Sequence, residues 1–131
     1  MYKIEKHRVG YFLTFSDYLS APDAHNWLHK SKSILEHDNP NGFGVIVDMR
    51  TLQLLPKEAR GILIKGQKYF QNRGMIRSAV ILKDSITKYQ FIKIAQESGI
   101  WEGERYIDAS IIPNWNTVAL QWVENGIDPG I

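Results

Sequence analysis

The feature that most constrains the fold is a regular alternation between strand-like and helix-like patterns of apolar residues. In short segments, apolar residues either alternate with polar ones or follow one another without interruption. In the longer segments between them, apolar residues recur every three to four positions. The order in the chain is strand, strand, helix, strand, helix, strand, helix, strand, helix. It predicts an α/β fold with a mostly parallel five-stranded sheet, helices covering the sheet, and an antiparallel hairpin strand at one edge. No repeat or linker divides the 131 residues, so we expect a single domain.

The strongest strand signals are residues 43–48 and 77–82, which are almost continuously apolar, as in strands covered on both faces. Residues 2–6 and 11–15 predict the opening hairpin, and residues 105–109 a shorter fifth strand. Helices are predicted at residues 20–38, 56–73, 86–98 and 114–125, from their capping residues and spacing. The predicted core includes Val45, Val47, Ile81 and Phe91, with Trp115 and Trp122 of the last helix packed inward.

Composition excludes several classes of protein. The chain has no cysteine, which excludes a disulfide scaffold, a thiol nucleophile and a cysteine-ligated metal site. Its apolar runs are far shorter than the roughly 20 residues of a membrane helix, and its start lacks the apolar stretch of a signal peptide. We therefore expect a cytoplasmic protein that is not integral to a membrane.

Enzyme motifs are not recognisable in the sequence. There is no glycine-rich phosphate loop and no Gly-x-Ser-x-Gly segment. Gly61 and Gly66 lie inside a predicted helix, where they favour close packing of the helix on the sheet. We expect no catalytic residue, no cofactor and no nucleic-acid partner.

His25 and His29 are one helical turn apart, a spacing that can place two imidazoles on one metal ion. They share their helix face with Lys32 and Glu36, and no third ligand is identifiable. The pattern predicts a solvated polar face and no metal site.

Asp48 and Arg50 follow a predicted central strand, and the carboxyl ends of parallel strands are where α/β proteins place binding sites. They are therefore candidate ligand- or partner-binding residues. An equally ordinary interpretation is that Asp48 caps the loop backbone, while the arginines, Arg77 included, pair with acids such as Glu104 or Asp108.

Some apolar residues lie outside the predicted core faces of their helices. Ile64 shares its helix side with lysines, and the next helix carries a second set off the Phe91, Ile94 and Ala95 stripe, namely Ile86, Tyr89 and Ile92. Either more chain covers them, or they form a partner or ligand surface. We take Ile64, Ile86 and Tyr89 as candidate binding residues and predict a two-fold homodimer through this surface.

Charge is unevenly distributed along the chain. Residues 57–93 carry nine basic and two acidic residues, a sum of +7, whereas residues 94–131 carry one basic and six acidic residues, a sum of −5. The basic segment could form an anion- or partner-binding face. Alternatively, two lysine-solvated helices are neutralised by the acidic segment packed nearby.

Several segments together resemble the bacterial SpoIIAA-like proteins, small members of the STAS/Sec14-like (CRAL-TRIO-like) superfamily. They are residues 44–50 (GVIVDMR), 73–80 (RGMIRSAV), 90–95 (QFIKIA), 105–108 (RYID) and 113–115 (PNW). The resemblance covers nearly the whole chain and agrees with the element order.

The resemblance implies two kinds of function. Anti-sigma-factor antagonists of this superfamily use a phosphorylated serine in an Asp-Ser-Ser-Gly segment after the central strand. Here residues 51–56 offer only Thr51 as a hydroxyl, so no phosphoserine switch is expected. Sec14-like relatives carry lipids but are longer and have an added lid. We expect a non-enzymatic binding or regulatory module of STAS-like type, or alternatively a small apolar-ligand or lipid-binding protein.

Overall fold

Residues 1–130 are described by a computed structural model, which has an α/β architecture with a mostly parallel five-stranded sheet and four helices. The strands are β1 (Tyr2–His7), β2 (Gly10–Phe15), β3 (Asp17–Tyr18), β4 (Phe43–Asp48), β5 (Leu52–Leu54), β6 (Met75–Leu82) and β7 (Glu104–Asp108). The helices are α1 (Ala21–Asp38), α2 (Lys57–Asn72), α3 (Ser85–Ser98) and α4 (Trp115–Asn125), with a 3₁₀ turn at Trp101–Gly103.

The main sheet has the order β1-β2-β4-β6-β7. β1 runs antiparallel to β2 as a hairpin, and the other three pairings are parallel. The predicted opening hairpin, the central position of β4 and the buried strand β6 are therefore confirmed. A second, two-stranded sheet joins β3 to β5 and was not predicted, because two- and three-residue strands carry no periodic signal.

The sheet separates two apolar layers. The first layer packs α1, α2 and α3 against one face of the sheet, and the second packs α4 against the other face. Val45, Val47, Ile81 and Trp122 are buried as predicted. Phe91 and Trp115 are only half-buried: Phe91 faces a gap between helices, and Trp115 lies beneath the guanidinium of Arg50.

Capping residues fix the helix ends near their predicted positions. The Ser20 hydroxyl accepts a hydrogen bond from the Asp23 amide at 3.1 Å, and the Asp84 carboxylate accepts one from Thr87 at 2.7 Å. α3 ends at Gly99, whose φ of 76° is left-handed.

The buried face of α3 differs from the prediction. Ile92 and Ala95 are buried against the sheet, so the placement of Ile92 outside the core was wrong. Ala95 is buried as predicted, but the core face extends to Ile92 and not to Phe91 and Ile94. Phe91 and Ile94 consequently lie at the side of α3 that faces α2.

None of the helices in residues 1–130 combines the length and apolar character needed to cross a membrane.

Candidate functional site

A narrow slot lies on the sheet between α2 and α3. α2 packs on α1, whereas α3 packs mainly on β7 and the 3₁₀ turn, so the two helices leave a gap between them. The slot has a volume of about 50 Å³. Its lining is mainly apolar and includes Leu13, Phe15, Val47, Met49, Leu63, Ile64, Val80, Phe91, Ile94 and Ile100. Such a space fits the end of an apolar chain.

A buried polar cluster forms part of the slot lining. The amide nitrogen of Gln67 donates to the Glu104 carboxyl at 2.7 Å and to the Ser78 hydroxyl at 2.9 Å. The Tyr106 hydroxyl is close enough to the Glu104 carboxyl to lower its pKa. Only 5% of Glu104 and 8% of Gln67 is exposed. Strand alternation explains the arrangement, because Glu104 and Tyr106 are two residues apart and share one face of β7.

Burial changes the ionisation of this cluster. Removal from water disfavours the carboxylate and raises the pKa of Glu104 from 4.5 to about 7. The Tyr106 hydroxyl and the Gln67 amide lower this pKa, but by less than burial raises it. No lysine, arginine or histidine in residues 1–130 pairs with Glu104. The carboxyl group is thus poised to exist in either form near neutral pH.

Trp27 of α1 forms another wall of the slot. Its ring lies against Gly66 of α2, where a Cβ would approach the ring carbons to 2.2 Å, so only glycine permits this contact. The ring also stacks on Phe70 and meets Phe15 edge-on. Within the described chain, the indole N–H of Trp27 is buried without an acceptor.

A wider groove of about 560 Å³ adjoins the slot, between α3 and the segment around β5. The two spaces share the side chains of Met49, Arg60, Phe91 and Ile94. The groove has a mixed polar and apolar lining, and its charged residues are Arg60, Lys83, Lys93 and Glu97. Together the two spaces form a site with an apolar inner end and a polar, cationic outer end.

The basic and acidic segments make no close ion pairs with each other in residues 1–130, although the charge of Lys88 contributes to lowering the pKa of Asp108. Within residues 1–130, none of the nine basic residues of segment 57–93 forms a salt bridge. Two acids of the acidic segment pair with other cations: Glu124 with Arg8, and Asp128 with Arg105, both at 3.0 Å. Several cations of α2 and α3 thus have no carboxylate partner.

The predicted pair at the carboxyl end of β4 is present. Arg50 donates to the Asp48 carboxylate through its Nε at 3.0 Å and a terminal nitrogen at 2.9 Å, and its amide donates at 3.0 Å. The guanidinium lies 4.1 Å from the centre of the Trp115 ring. The geometry agrees with the capping interpretation of Asp48, and both side chains are satisfied by each other and by neighbours.

The predicted pairing of arginines with Glu104 or Asp108 was wrong. Arg77 instead donates to the main-chain carbonyls of Val123 and Glu124 at the end of α4. Asp108 accepts hydrogen bonds from Ser85 and Ser110. Burial raises the pKa of Asp108, but these hydrogen bonds outweigh burial and lower it. This acid is therefore engaged within the loop structure.

The remaining candidate residues lie in different places. Ile64 lines the slot, whereas Ile86 and Tyr89 lie on the outer side of α3 and are 74% and 70% exposed. Sequence reasoning missed Glu104 and Arg60 as site residues. The available signal for Glu104 was its position two residues before Tyr106, on the same face of a strand. The predicted strand began at residue 105, so Glu104 lay outside it.

His25 and His29 are both exposed on α1. Across residues 1–130, no three histidine, aspartate or glutamate side chains are grouped so as to hold a metal ion.

Comparison of the chain with family models and with curated proteins gave no match.

Proposed function

We propose that this chain is a non-enzymatic binding module that takes the apolar part of a small ligand into the slot between α2, α3 and the sheet. The observation that carries the proposal is the slot itself, whose apolar walls open onto the groove lined by charged residues. Small-molecule sites have this character, with apolar walls and a few polar groups that orient the ligand. The SpoIIAA-like resemblance is part of the same proposal: it implies a STAS-like binding or regulatory module, with the apolar-ligand protein as the alternative that the slot supports.

The polar groups of the slot supply hydrogen-bonding positions for a ligand. The side-chain amide of Gln67 donates a hydrogen bond to Glu104. Burial raises the pKa of the neighbouring Tyr106 hydroxyl, which therefore stays protonated. This arrangement favours a fixed hydrogen-bonding wall for a ligand.

The proposal predicts how the affinity of a ligand depends on the length of its alkyl chain. Each CH₂ group that leaves water contributes about 0.8 kcal/mol, which is about fourfold in Kd. A series of straight-chain neutral alcohols should therefore bind more tightly with each added carbon, until the slot and the apolar part of the groove are filled.

Calorimetric titration with 1-butanol, 1-hexanol and 1-octanol tests the proposal. A matched pair of variants on α3 locates the site: Ile94→Trp fills the slot, and Ile86→Trp adds the same ring on the outer face. We expect saturable binding to wild type and to Ile86→Trp, and its loss in Ile94→Trp. Circular dichroism establishes that both variants are folded. Equal binding by the two variants, or no saturable heat with wild type, contradicts the proposal.

A second candidate function is protein binding through α3, as in a regulatory module or a homodimer. The specific observation is the exposure of Ile86 and Tyr89, two large apolar side chains one turn apart. The two functions are compatible, because neither Ile86 nor Tyr89 is among the residues that line the slot or the groove.

A further inference from the structure

We propose that the ligand is an organic anion, whose carboxylate or similar group binds Arg60 in the groove while its apolar chain enters the slot. This inference rests on the proposed function and specifies the chemical class of the ligand.

Arg60 has the position and the unused hydrogen-bonding capacity that this role requires. It lies on the first turn of α2, is half-buried, and lines both the slot and the groove. Within residues 1–130, its guanidinium has no carboxylate partner. A guanidinium presents five N–H donors in a planar fork that matches the two oxygens of a carboxylate. A ligand anion would satisfy donors that the protein itself leaves free.

The charge of the groove favours the same ligand. Lys83 and Lys93 line it together with Arg60, against the single acid Glu97. Lys83 also donates to the main-chain carbonyl of Leu52 at 3.3 Å, which holds its positive charge at the groove wall near β5. Neighbouring cations without carboxylate partners raise the local concentration of anions and disfavour a cationic ligand.

Glu104 determines which way the ligand enters. The slot carries one acid, Glu104, among its lining residues, and Arg60 is the cation that lines it. An anionic group placed against Glu104 would meet a buried carboxyl that can itself become negative. The opposite orientation puts the anion on Arg60 and the uncharged chain into the slot, which avoids the repulsion.

Calorimetric titration at pH 7.5 with octanoate, 1-octanol and octylamine distinguishes the effect of ligand charge from that of the apolar chain. The three ligands have equal chain length and differ in the charge of the head group. We expect octanoate to bind about tenfold more tightly than 1-octanol, since hydrogen bonds to a charged group add this much. Octylamine should bind more weakly than 1-octanol. Raising the salt concentration should weaken octanoate binding and leave 1-octanol binding in place.

Variants of α2 assign the effect to Arg60. Arg60→Met should reduce octanoate to the affinity of 1-octanol, whereas Arg60→Lys should retain part of the preference. Lys68→Met removes an equal charge from an exposed position of the same helix outside the groove and should leave the preference intact. If 1-octanol binds wild type but octanoate binds no better, this inference fails while the proposed function stands. If neither compound binds, both fail. An octanoate preference that survives Arg60→Met also overturns the assignment.

Discussion

The buried carboxyl of Glu104 makes the stability of the protein depend on pH in a definite direction. The pKa of Glu104 is about 7 in the folded protein, against an ordinary value of 4.5. Between these two pH values the folded chain keeps a proton that the unfolded chain has lost. Folding stability contributed by this group is therefore present below about pH 4.5 and is lost as pH rises through about 7.

The magnitude follows from the same two values. Each factor of ten in proton affinity is worth about 1.4 kcal/mol, so ionising buried Glu104 costs about 3 kcal/mol of folding free energy. Glu104→Gln removes the ionisation but keeps the shape and an amide oxygen that can accept from Gln67. The free energy of unfolding of Glu104→Gln, relative to wild type, should thus rise by about 3 kcal/mol between pH 4.5 and pH 8.

Urea denaturation of both proteins at a series of pH values measures this difference directly. Contributions from the histidines and the other acids are common to both proteins and cancel in the comparison. Glu102→Gln is the matched control, because Glu102 is exposed two residues earlier in the chain. A difference between wild type and Glu104→Gln that stays flat with pH would refute the assignment of Glu104 as a buried acid without a cation.

Three further perturbations have expected outcomes. Val47→Asp places an unpaired charge in the core between sheet and helices and should cost several kcal/mol, so a thermal melt that resembles wild type would contradict the central position of β4. Gly66→Ala forces a methyl group against the Trp27 ring and should lower the free energy of unfolding by about 1–3 kcal/mol. Gly61→Ala, which has open space around it, should stabilise α2 by up to about 1 kcal/mol. Equal melting temperatures of the two variants would contradict the close contact between Gly66 and Trp27. If the exposed apolar face of α3 supports a homodimer, Ile86→Glu and Tyr89→Glu should shift sedimentation from dimer to monomer, and a monomeric wild type at tens of micromolar would remove that prediction.

The elements of the main sheet were predictable because their signals are local. Continuous apolar runs identify β4 and β6, and side-chain caps such as Ser20 and Asp84 mark where helices begin. The small sheet of β3 and β5 was not predictable, since strands of two and three residues carry no periodic signal and the pairing joins segments that are distant in the sequence.

The candidate site was largely not predictable for the same reason. Asp48 and Arg50 were found as a pair because they are close in the sequence. The cluster of Gln67, Ser78 and Glu104 joins α2, β6 and β7, and its members are up to 37 residues apart. The slot exists because α2 and α3 do not pack closely against each other. The residue pattern of one helix does not predict how far it lies from another helix.

If the slot between α2 and α3 admits an apolar chain, methyl-labelled NMR will detect the chain inside it. Isoleucine methyl groups report on each location: Ile64 and Ile94 in the slot, Ile86 on the outer face of α3, and Ile81 in the separate layer beneath α4. Titration with 1-octanol should shift the Ile64 and Ile94 methyl signals saturably, with a common Kd, and leave Ile86 and Ile81 in place. Unmoved slot methyls, or saturable shifts centred on Ile86, would contradict the account.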